Sequence, residues 1–548
     1  MNAADQPAGL ADHSAQASRG LLAWQRLAPP WLQSLLPWLL AASAGGLQAA
    51  ALAWPGSGQP LWWLQIASLA LLARLLLGLP RAALWRAAAL GGLFALCWLA
   101  GTFWWLFISM HVYGGLAAPL ALAALLALAA FLASYYAVVC AWFKAFAHAG
   151  RWHTAIFFAA LWLLAELARG QWWTGFPWGA GGYAHVTGPL APLARSLGVY
   201  GIGFVAALLA LALAQWRWQD LRRARWWAGL ALLLLAWGAL HGQRQAALLD
   251  GQRNAGAPLT LALLQGNIPQ DEKFQPGSGV PLALAWYGEQ LRQAQAQLVV
   301  APETALPLLP QQLAPGYLER NTERYRSGAQ ALLLGMPLGD PQVGFTNSVL
   351  GFAEGQAQPY RYDKHHLVPF GEFIPPLFKW FTQLMNIPLG DFARGALGQS
   401  SMAWAGQRLA PNICYEDLFG EELAARFADP ALAPTLLVNL SNIGWFGDSI
   451  AIDQHLAISR MRALELERPM LRATNTGATA VIDHQGQVTH QLPSYTRAVL
   501  QAQVQGRSGP VTPYAWWAAR WGLTPLWLIG LGLALLLGWP ARHRVVIG

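Results

Sequence analysis

The sequence predicts a multi-pass α-helical membrane domain of about eight helices, with an α/β domain inserted before the last helix. Hydrophobic residues make up 55% of the chain and charged residues only 11%, whereas soluble domains usually carry about 25% charged residues. Apolar runs long enough to cross a bilayer crowd the N-terminal part and recur once near the C-terminus. Between them, short β-like runs alternate with helix-like stretches, which is typical of an α/β sandwich.

The apolar runs are counted first. A bilayer core about 30 Å thick requires about 20 helical residues. The first run follows a polar stretch without a convincing cleavage site, so we interpret it as a retained helix rather than a signal peptide. In the fifth run we expect Glu166 either to pair with Arg169, one turn away, or to lie at the helix end. The predicted helices span 31–54, 61–79, 85–109, 115–143, 154–169, 198–214, 225–241 and 518–539.

The basic residues predict the orientation. Arginine and lysine concentrate in the N-terminal segment, in every second connection and in the C-terminal tail, and are nearly absent from the other connections. The positive-inside rule then places both termini in the cytoplasm and the inserted domain on the opposite, periplasmic side of a bacterial inner membrane. We expect a transmembrane domain at 1–241, a periplasmic domain at 242–515 and a C-terminal helix with a cytoplasmic tail at 516–548.

Charge and cysteine content exclude several classes of protein. The net charge of +9 is spread as single arginines or short groups between apolar runs, not as the basic stripes of a nucleic-acid-binding protein. Three cysteines cannot form a disulfide framework, and no CxxC pair is present to bind zinc. The adjacent His365 and His366 have no further ligands nearby, and no glycine-rich nucleotide loop occurs, so we expect neither a metal nor another cofactor.

The inserted segment alternates strands and helices. Strand-like runs occur at 259–265, 298–301, 331–335, 347–352, 408–414, 435–440 and 478–483, and helix-like runs at 281–297 and 450–467. Such alternation favours an α/β sandwich, and α/β folds build their sites at strand ends. Of the three cysteines, only Cys414 lies in a polar stretch, where an apolar strand ends.

Three residues at separate strand or loop ends form a possible acyl-transfer set. Taken singly, Cys414 could be an inert buried thiol, Glu303 a helix-entry carboxylate and Lys364 part of a solvated loop. Taken together, a carboxylate can accept the thiol proton. A lysine and the backbone N–H after the cysteine can stabilise the oxyanion that forms on a carbonyl under attack.

The order Glu303, Lys364, Cys414 resembles the nitrilase, or carbon–nitrogen hydrolase, superfamily, and the surrounding segments resemble the apolipoprotein N-acyltransferase family. The resemblance implies an α-β-β-α sandwich fused to seven preceding helices and one following helix. It covers nearly the whole chain. The matching segments are LLQGNIPQ (263–270), APETALP (301–307), YDKHHLVPFGEFIP (362–375), NICYED (412–417), WFGDS (445–449), MRALELERPMLRATNTG (461–477) and, among the helices, TGFPWGAGGY (174–183).

This resemblance implies transfer of a fatty acyl chain from a membrane phospholipid to the N-terminal amine of a diacylglyceryl-cysteine on an apolipoprotein. Glu303 would be the base, Lys364 the oxyanion stabiliser and Cys414 the nucleophile that forms an acyl-thioester. Glu372, Tyr415 and Glu416 match supporting positions. Ile443 stands where family members commonly have an acidic residue. Nothing in the sequence demands a partner subunit, and we expect a monomer.

Aromatic residues suggest where lipid is bound. The apolar segment Pro375–Arg394 contains Phe378 and Trp380, and it is either a lid over a lipid-facing site or packing against the membrane helices. Trp445 and Phe446 line an acyl pocket or belong to the core. Trp178, within 174–183, lies in the wall of a lipid path or in an interfacial aromatic belt.

Two other functions compete with acyl transfer. A membrane-tethered amidase of the nitrilase type would use the same three residues with water as the acceptor, but it needs neither the apolar segment nor the fused helices. A transporter with a non-catalytic domain is a third possibility. Against it, the helices carry few intramembrane charges and no obvious inverted repeat.

Overall fold

The helical region lies in the N-terminal part of the chain. The computed structural model describes residues 29–148, 150–216, 229, 237–238, 254–374 and 392–538. The apolar runs form helices because nearly every position can face lipid or a neighbouring helix without exposing backbone polar groups. The helices are α1 (Pro30–Leu52), α2 (Trp62–Gly78), α3 (Leu84–Thr102), α4 (Ala118–Phe146), α5 (Arg151–Gln171) and α6 (Ala194–Ala214).

The described residues contain fewer helices able to cross a membrane than the eight that the sequence predicts. Within the described ranges, α1, α3, α4 and α6 are long and apolar enough to cross a membrane. Helix α2 has the apolar character but only 17 residues. Helix α5 is longer than its predicted run, but charged and polar residues at both ends lower its hydropathy. Most of the predicted helix 225–241 lies outside the described residues.

Two six-stranded mixed sheets form the inserted domain. The strands of the first sheet lie in the order β12-β1-β2-β3-β4-β5, and those of the second in the order β11-β10-β9-β8-β7-β6. Strands β1–β3 pair in parallel in the first sheet, and β7–β9 do so in the second. Their bounds are β1 (Asn254–Gln265), β2 (Leu298–Ala301), β3 (Ala331–Asp340), β4 (Gly344–Phe352), β5 (Tyr360–Asp363), β6 (Met402–Trp404), β7 (Gln407–Ile413), β8 (Leu436–Ser441), β9 (Met470–Thr474), β10 (Ala480–Ile482), β11 (Val488–Gln491) and β12 (Ala498–Arg507).

The two sheets pack face to face and helices cover their outer faces. Apolar side chains of both sheets form one buried cluster, which includes Leu263 and Val300 from the first and Ile413 and Val438 from the second. Helices α7 (Gly279–Gln293) and α8 (Tyr317–Ser327) cover the first sheet. Helices α9 (Gly420–Ala424) and α10 (Ala451–Leu466) lie on the side of the second. These layers are the expected α/β sandwich.

Helix α10 joins the sandwich to the helical region. One continuous cluster of buried apolar side chains contains residues of the second sheet, of α10 and of the helical region. Of the 16 residues of α10, all but Asp453 are buried. A helix buried on all sides must pair its polar groups internally, and α10 carries several of the hydrogen bonds described below.

The C-terminal helix differs from its predicted form. Instead of one helix over 518–539, α11 (Pro513–Trp521) and α12 (Thr524–Gly538) meet at an angle of 91°. Gly522, with φ +55°, lies at the bend, and a left-handed residue of this kind ends a helix. The Trp517 indole N–H donates to the Ser196 carbonyl at 2.9 Å. Helix α11, which contains only the first four residues of the predicted span, is therefore packed against α6.

Candidate active site

The predicted catalytic residues meet where strands from both sheets end. Cys414 directly follows β7, and Lys364 directly follows β5. Glu303 lies two residues beyond β2, and Asn442 directly follows β8. The Asn442 backbone N–H donates to Glu303 Oε2 at 2.8 Å and so ties the first sheet to the second. The sandwich thus assembles the site from segments more than a hundred residues apart.

A buried cluster of two carboxylates and one lysine forms the first half of the site. Lys364 Nζ lies 2.9 Å from a Glu372 carboxylate oxygen and 3.4 Å from Glu303 Oε1. All three side chains are at least 90% buried. Burial alone would lower the pKa of Lys364, but the charges of Glu372 and Glu303 outweigh it and hold that pKa above its usual value. The ammonium therefore stays charged at every physiological pH.

Asn347, which sequence reasoning did not select, holds the two carboxylates together. Its side-chain amide donates to Glu303 Oε1 and to Glu372 Oε1, both at 2.7 Å. Its backbone carbonyl accepts from the Lys364 N–H at 2.8 Å. The sequence placed Asn347 at the start of a strand, but nothing in a strand pattern shows that its side chain turns toward two acids of other segments.

The nucleophile candidate has an unusual backbone. Cys414 has φ +52°, a left-handed conformation that costs a non-glycine residue roughly 1–3 kcal/mol. Burial, and then the charge of Glu303, raise the pKa of the Cys414 thiol to about 12, although Lys364, the Ser441 side chain and the Asn442 backbone act in the opposite direction. The thiol is therefore protonated in the free protein at neutral pH, and a base must accept its proton when it attacks.

Glu416 locks the cysteine segment to the lysine segment. Its carboxylate accepts from the Ile413 N–H at 2.6 Å, from the His365 N–H at 2.7 Å and from the Tyr362 hydroxyl at 2.8 Å. Ile413 precedes the cysteine, and His365 follows the lysine. Glu416 thus bridges the ends of β5 and β7, and its supporting role stays a prediction.

A second lysine, also not selected from the sequence, lies beside the cluster. Lys273 is 1% exposed, and its Nζ donates to the Glu303 backbone carbonyl at 3.1 Å. Burial lowers the pKa of Lys273 to about 8, and the nearby Glu303 and Cys414 limit the shift. The surrounding stretch, 271–276, has the polar composition of an ordinary loop, so composition gave no signal that this lysine is buried.

Tyr415 and Trp178 connect the site to the helical region. The Tyr415 hydroxyl donates to the Gly175 carbonyl at 3.2 Å, and its ring stacks on Phe176. Trp178 is 2% exposed, and its ring stacks on His455 of α10, with centroids 5.5 Å apart. Trp178 is therefore buried against the sandwich, and both interpretations of 174–183, an interfacial aromatic belt and the wall of a lipid path, stay predictions.

The remaining predicted lipid-binding residues fall into two groups. Trp445 and Phe446 are half-buried. Phe446 packs 4.1 Å from the Trp105 ring, and Trp445 meets Tyr113 edge-on at 6.0 Å, so both rings contact the helical region between α3 and α4. Phe378 and Trp380, with the rest of 375–391, lie outside the described residues.

The expectation that the protein binds no metal stays a prediction. In the ranges that the structure describes, no three His, Cys, Asp or Glu side chains form a group able to hold a metal ion. The ring of His366 instead contacts Glu422 at 2.9 Å and donates to the Thr174 carbonyl at 3.1 Å. Ile443, which stands at the usually acidic position, is 1% exposed and packs in the core.

Comparison with known proteins covers both regions. The family model for the apolipoprotein N-acyltransferase N-terminal domain matches residues 44–212, and that for carbon–nitrogen hydrolases matches residues 260–511. A protein of Verminephrobacter eiseniae described as an apolipoprotein N-acyltransferase is 64% identical over 92% of this chain and 94% of its own length. Relatives of the same description from Ralstonia nicotianae and Bordetella bronchiseptica are 48% and 42% identical, over 88% and 94% of this chain and 90% and 98% of their own lengths.

Proposed function

Because the chain belongs to the apolipoprotein N-acyltransferase family, we propose that it transfers an acyl chain from a membrane phospholipid to the N-terminal amine of a diacylated apolipoprotein. The observation that supports this mechanism is the buried cluster of Glu303, Lys364 and Glu372. It lies at the end of β7, the strand that Cys414 directly follows. The phospholipid donor and the lipoprotein acceptor follow from the family, and the roles of the residues follow from their chemistry.

In the first half-reaction, Cys414 attacks a phospholipid ester. A bond forms between Sγ and the carbonyl carbon while the thiol proton passes to Glu303, and the carbonyl π electrons move onto the oxygen. Lys364 and the Tyr415 backbone N–H stabilise this oxyanion. When it collapses, the ester C–O bond breaks, and the lysophospholipid oxygen leaves with the proton from Glu303. The product is an acyl-thioester on Cys414.

In the second half-reaction, the apolipoprotein amine attacks the thioester carbon. Glu303 accepts a proton from the amine, an amide bond forms, and the C–S bond breaks. The leaving thiolate takes a proton back from Glu303, which restores the free protein. Glu372 stays close to Lys364 throughout and keeps the ammonium charged and directed, with Tyr415 and Glu416 in supporting positions.

The membrane setting follows from the same family and from the charge distribution. We place the sandwich, within 242–515, on the periplasmic face of the bacterial inner membrane, with 1–241 and 516–548 as its membrane anchors and both termini in the cytoplasm. Trp445 and Phe446, which face the helical region, are proposed to contact the acyl chain. The same contact is proposed for Phe378 and Trp380.

The test follows the acyl group itself. The purified full-length protein is incubated with a phospholipid carrying a labelled acyl chain, and Cys414 is examined by mass spectrometry, with Cys414→Ser and Cys97→Ala as variants. We expect a hydroxylamine-labile acyl group on Cys414 of the wild type and of Cys97→Ala only. It should persist until an amine-bearing diacylated lipopeptide is added and then appear on that amine.

Two results would contradict the proposal. If no phospholipid acylates Cys414, acyl transfer from lipid is wrong, and small amides should be tested as substrates for water-dependent hydrolysis. If the thioester forms but decays equally fast with and without lipopeptide, water is the acceptor and the protein is a hydrolase.

A further inference from the structure

Arg169, in the helical region, has every side of its guanidinium engaged. Nη2 lies 3.0 Å from Glu166 Oε2, and Nε donates to the Tyr136 hydroxyl at 3.0 Å. Nη1 donates to two backbone carbonyls, those of Phe176 at 2.7 Å and Trp178 at 2.8 Å. Arg169 is 0% exposed and Glu166 is 2% exposed. An ion pair buried this deeply in apolar surroundings carries a large desolvation cost. The two backbone carbonyls that Arg169 contacts indicate what the arginine does there.

The two carbonyls belong to residues 174–178, which we call the docking loop. The docking loop leaves the helical region and forms hydrogen bonds to the sandwich from three of its residues. The Thr174 carbonyl accepts from His366 Nε2 at 3.1 Å, and the Gly175 carbonyl accepts from the Tyr415 hydroxyl at 3.2 Å. The Trp178 indole N–H donates to Gln454 Oε1 of α10 at 2.8 Å. The Arg169 guanidinium thus supplies hydrogen bonds to two carbonyls of this irregular loop, which regular secondary structure would otherwise supply.

From Trp178 the contacts continue to the nucleophile. The indole ring stacks on the His455 imidazole at an interplanar angle of 19°. His455 Nδ1 accepts from Arg472 Nη2 at 3.0 Å, because an arginine can only donate. The proton of this neutral imidazole is therefore on Nε2, which donates to the Cys414 carbonyl at 3.2 Å. One side of the Cys414 peptide is held through this stacked ring.

We propose that Arg169 is a positioning residue for the acyl-transfer chemistry, which acts by fixing the docking loop and, through Trp178, His455 and Tyr415, the strained backbone of Cys414. The inference rests on the proposed function. Cys414 keeps a left-handed conformation that persists only where its surroundings determine it. A displacement of about 1 Å at a reacting atom can cost about 100-fold in rate, so an anchor remote from the sulfur can affect the chemical step.

The test separates chemistry from lipid binding. Full-length protein in detergent micelles is acylated with labelled phospholipid, and the maximal rate and half-saturating lipid concentration are measured. A second assay follows acylation of Cys414 by p-nitrophenyl acetate, which needs no lipid site. The variants are Glu166→Gln/Arg169→Gln, which leaves no unpaired buried charge, and Arg169→Lys. Arg74→Met, in α2, is the matched arginine control because, among the described residues, its guanidinium makes one long hydrogen bond, with the Ala214 carbonyl at 3.4 Å.

We expect the double variant to lower the maximal rate about 10-fold to 100-fold in both assays, with the half-saturating lipid concentration unchanged within about twofold. Arg169→Lys should restore part of the rate, since an ammonium can reach some of the four acceptors but not all. Arg74→Met should behave as wild type. If the double variant does not fold, Trp178→Leu and Trp178→Phe replace it: loss of the ring should slow both assays, and phenylalanine should recover most of the rate.

Other outcomes overturn the inference. If the double variant folds and keeps the wild-type maximal rate, the contacts of Arg169 with the docking loop do not affect Cys414. A change confined to the half-saturating lipid concentration would make Arg169 part of a lipid site instead. If p-nitrophenyl acetate acylates the wild type and no phospholipid does, the proposed function fails, while the ester assay still decides the role of Arg169.

Discussion

The two halves of the site are held in different ways. Glu303, Lys364 and Glu372 come from the first sheet and its loops, and charge and the Asn347 amide hold them together within the sandwich. Cys414 comes from the second sheet, and its segment is held largely by contacts to its backbone and to Tyr415. Those contacts lead through α10 and the docking loop into the helical region.

The difference separates what a sandwich alone supplies from what the membrane part adds. The acid–lysine half has its partners inside one unit, so its geometry is set by strong, short charged contacts. The nucleophile half is held within the sandwich by the Glu416 carboxylate. Toward the helical region it is held by neutral hydrogen bonds and ring stacking, each worth about 0.5–1.5 kcal/mol. Changes in the first half should therefore have large effects, and single changes in the contacts between the Cys414 segment and the helical region small ones.

The largest effect is expected for Lys364→Met. The substitution removes the proposed oxyanion stabiliser and leaves two neighbouring buried carboxylates without their cation, which should lower acylation at least about 100-fold and destabilise the fold by about 3–5 kcal/mol. Thioester formation and thermal unfolding measure the two effects. Arg361→Met removes a half-exposed arginine from β5, the strand that Lys364 directly follows, and should change neither by much. If the two variants had equal effects, the special role of the buried acid–lysine cluster would be wrong.

Asn347→Ala should come next. Loss of the shared amide frees Glu303 from Glu372 and should reduce the acylation rate about tenfold or more, because the base loses its orientation. Asn321→Ala removes another buried asparagine, whose amide donates to the Tyr317 carbonyl on the far side of the first sheet. It should cost stability but not activity. Equal activity loss in both variants would make the role of Asn347 structural only.

The protonation of Cys414 gives a pH-dependent test. Because burial and the Glu303 charge raise the thiol pKa to about 12, alkylation by iodoacetamide should be slow at pH 7 and keep rising beyond pH 10. In Glu303→Gln the pKa should fall, since a charge that opposes the thiolate is removed, and alkylation at pH 9 should be severalfold faster. The exposed Glu354 provides the control Glu354→Gln. A wild-type plateau below pH 9 would contradict the raised pKa.

The smallest effect is expected for Tyr415→Phe. The hydroxyl bond to Gly175 is lost, but ring stacking with Phe176 and the neighbouring bond from His366 to Thr174 remain. Acylation should fall no more than about fivefold. Tyr317→Phe, which removes a 2.6 Å bond to the Leu284 carbonyl away from the site, is the control. A loss as large as that of Lys364→Met would show that the nucleophile half is no less sensitive than the acid–lysine half.

The local pattern of apolar and polar residues predicted most of the helices and strands. The buried strands at 298–301 and 347–352 were found because a run of apolar residues bounded by turns has few alternatives. Edge strands such as β11 and β12 were missed, since exposed polar positions hide the alternation. The bend at Gly522 was missed for another reason: hydropathy averaged over a window does not register one left-handed residue.

The sequence by itself determined that the chain has an apolar helical part and an α/β part, and it placed Glu303, Lys364 and Cys414 at strand or loop ends, because burial and backbone pairing act on neighbouring residues. Only the tertiary structure decided that Asn347 bridges two acids, that Lys273 is buried beside them and that Arg169 holds the docking loop. These contacts join residues far apart in the chain, and their energies depend on distance and burial, which no local pattern contains.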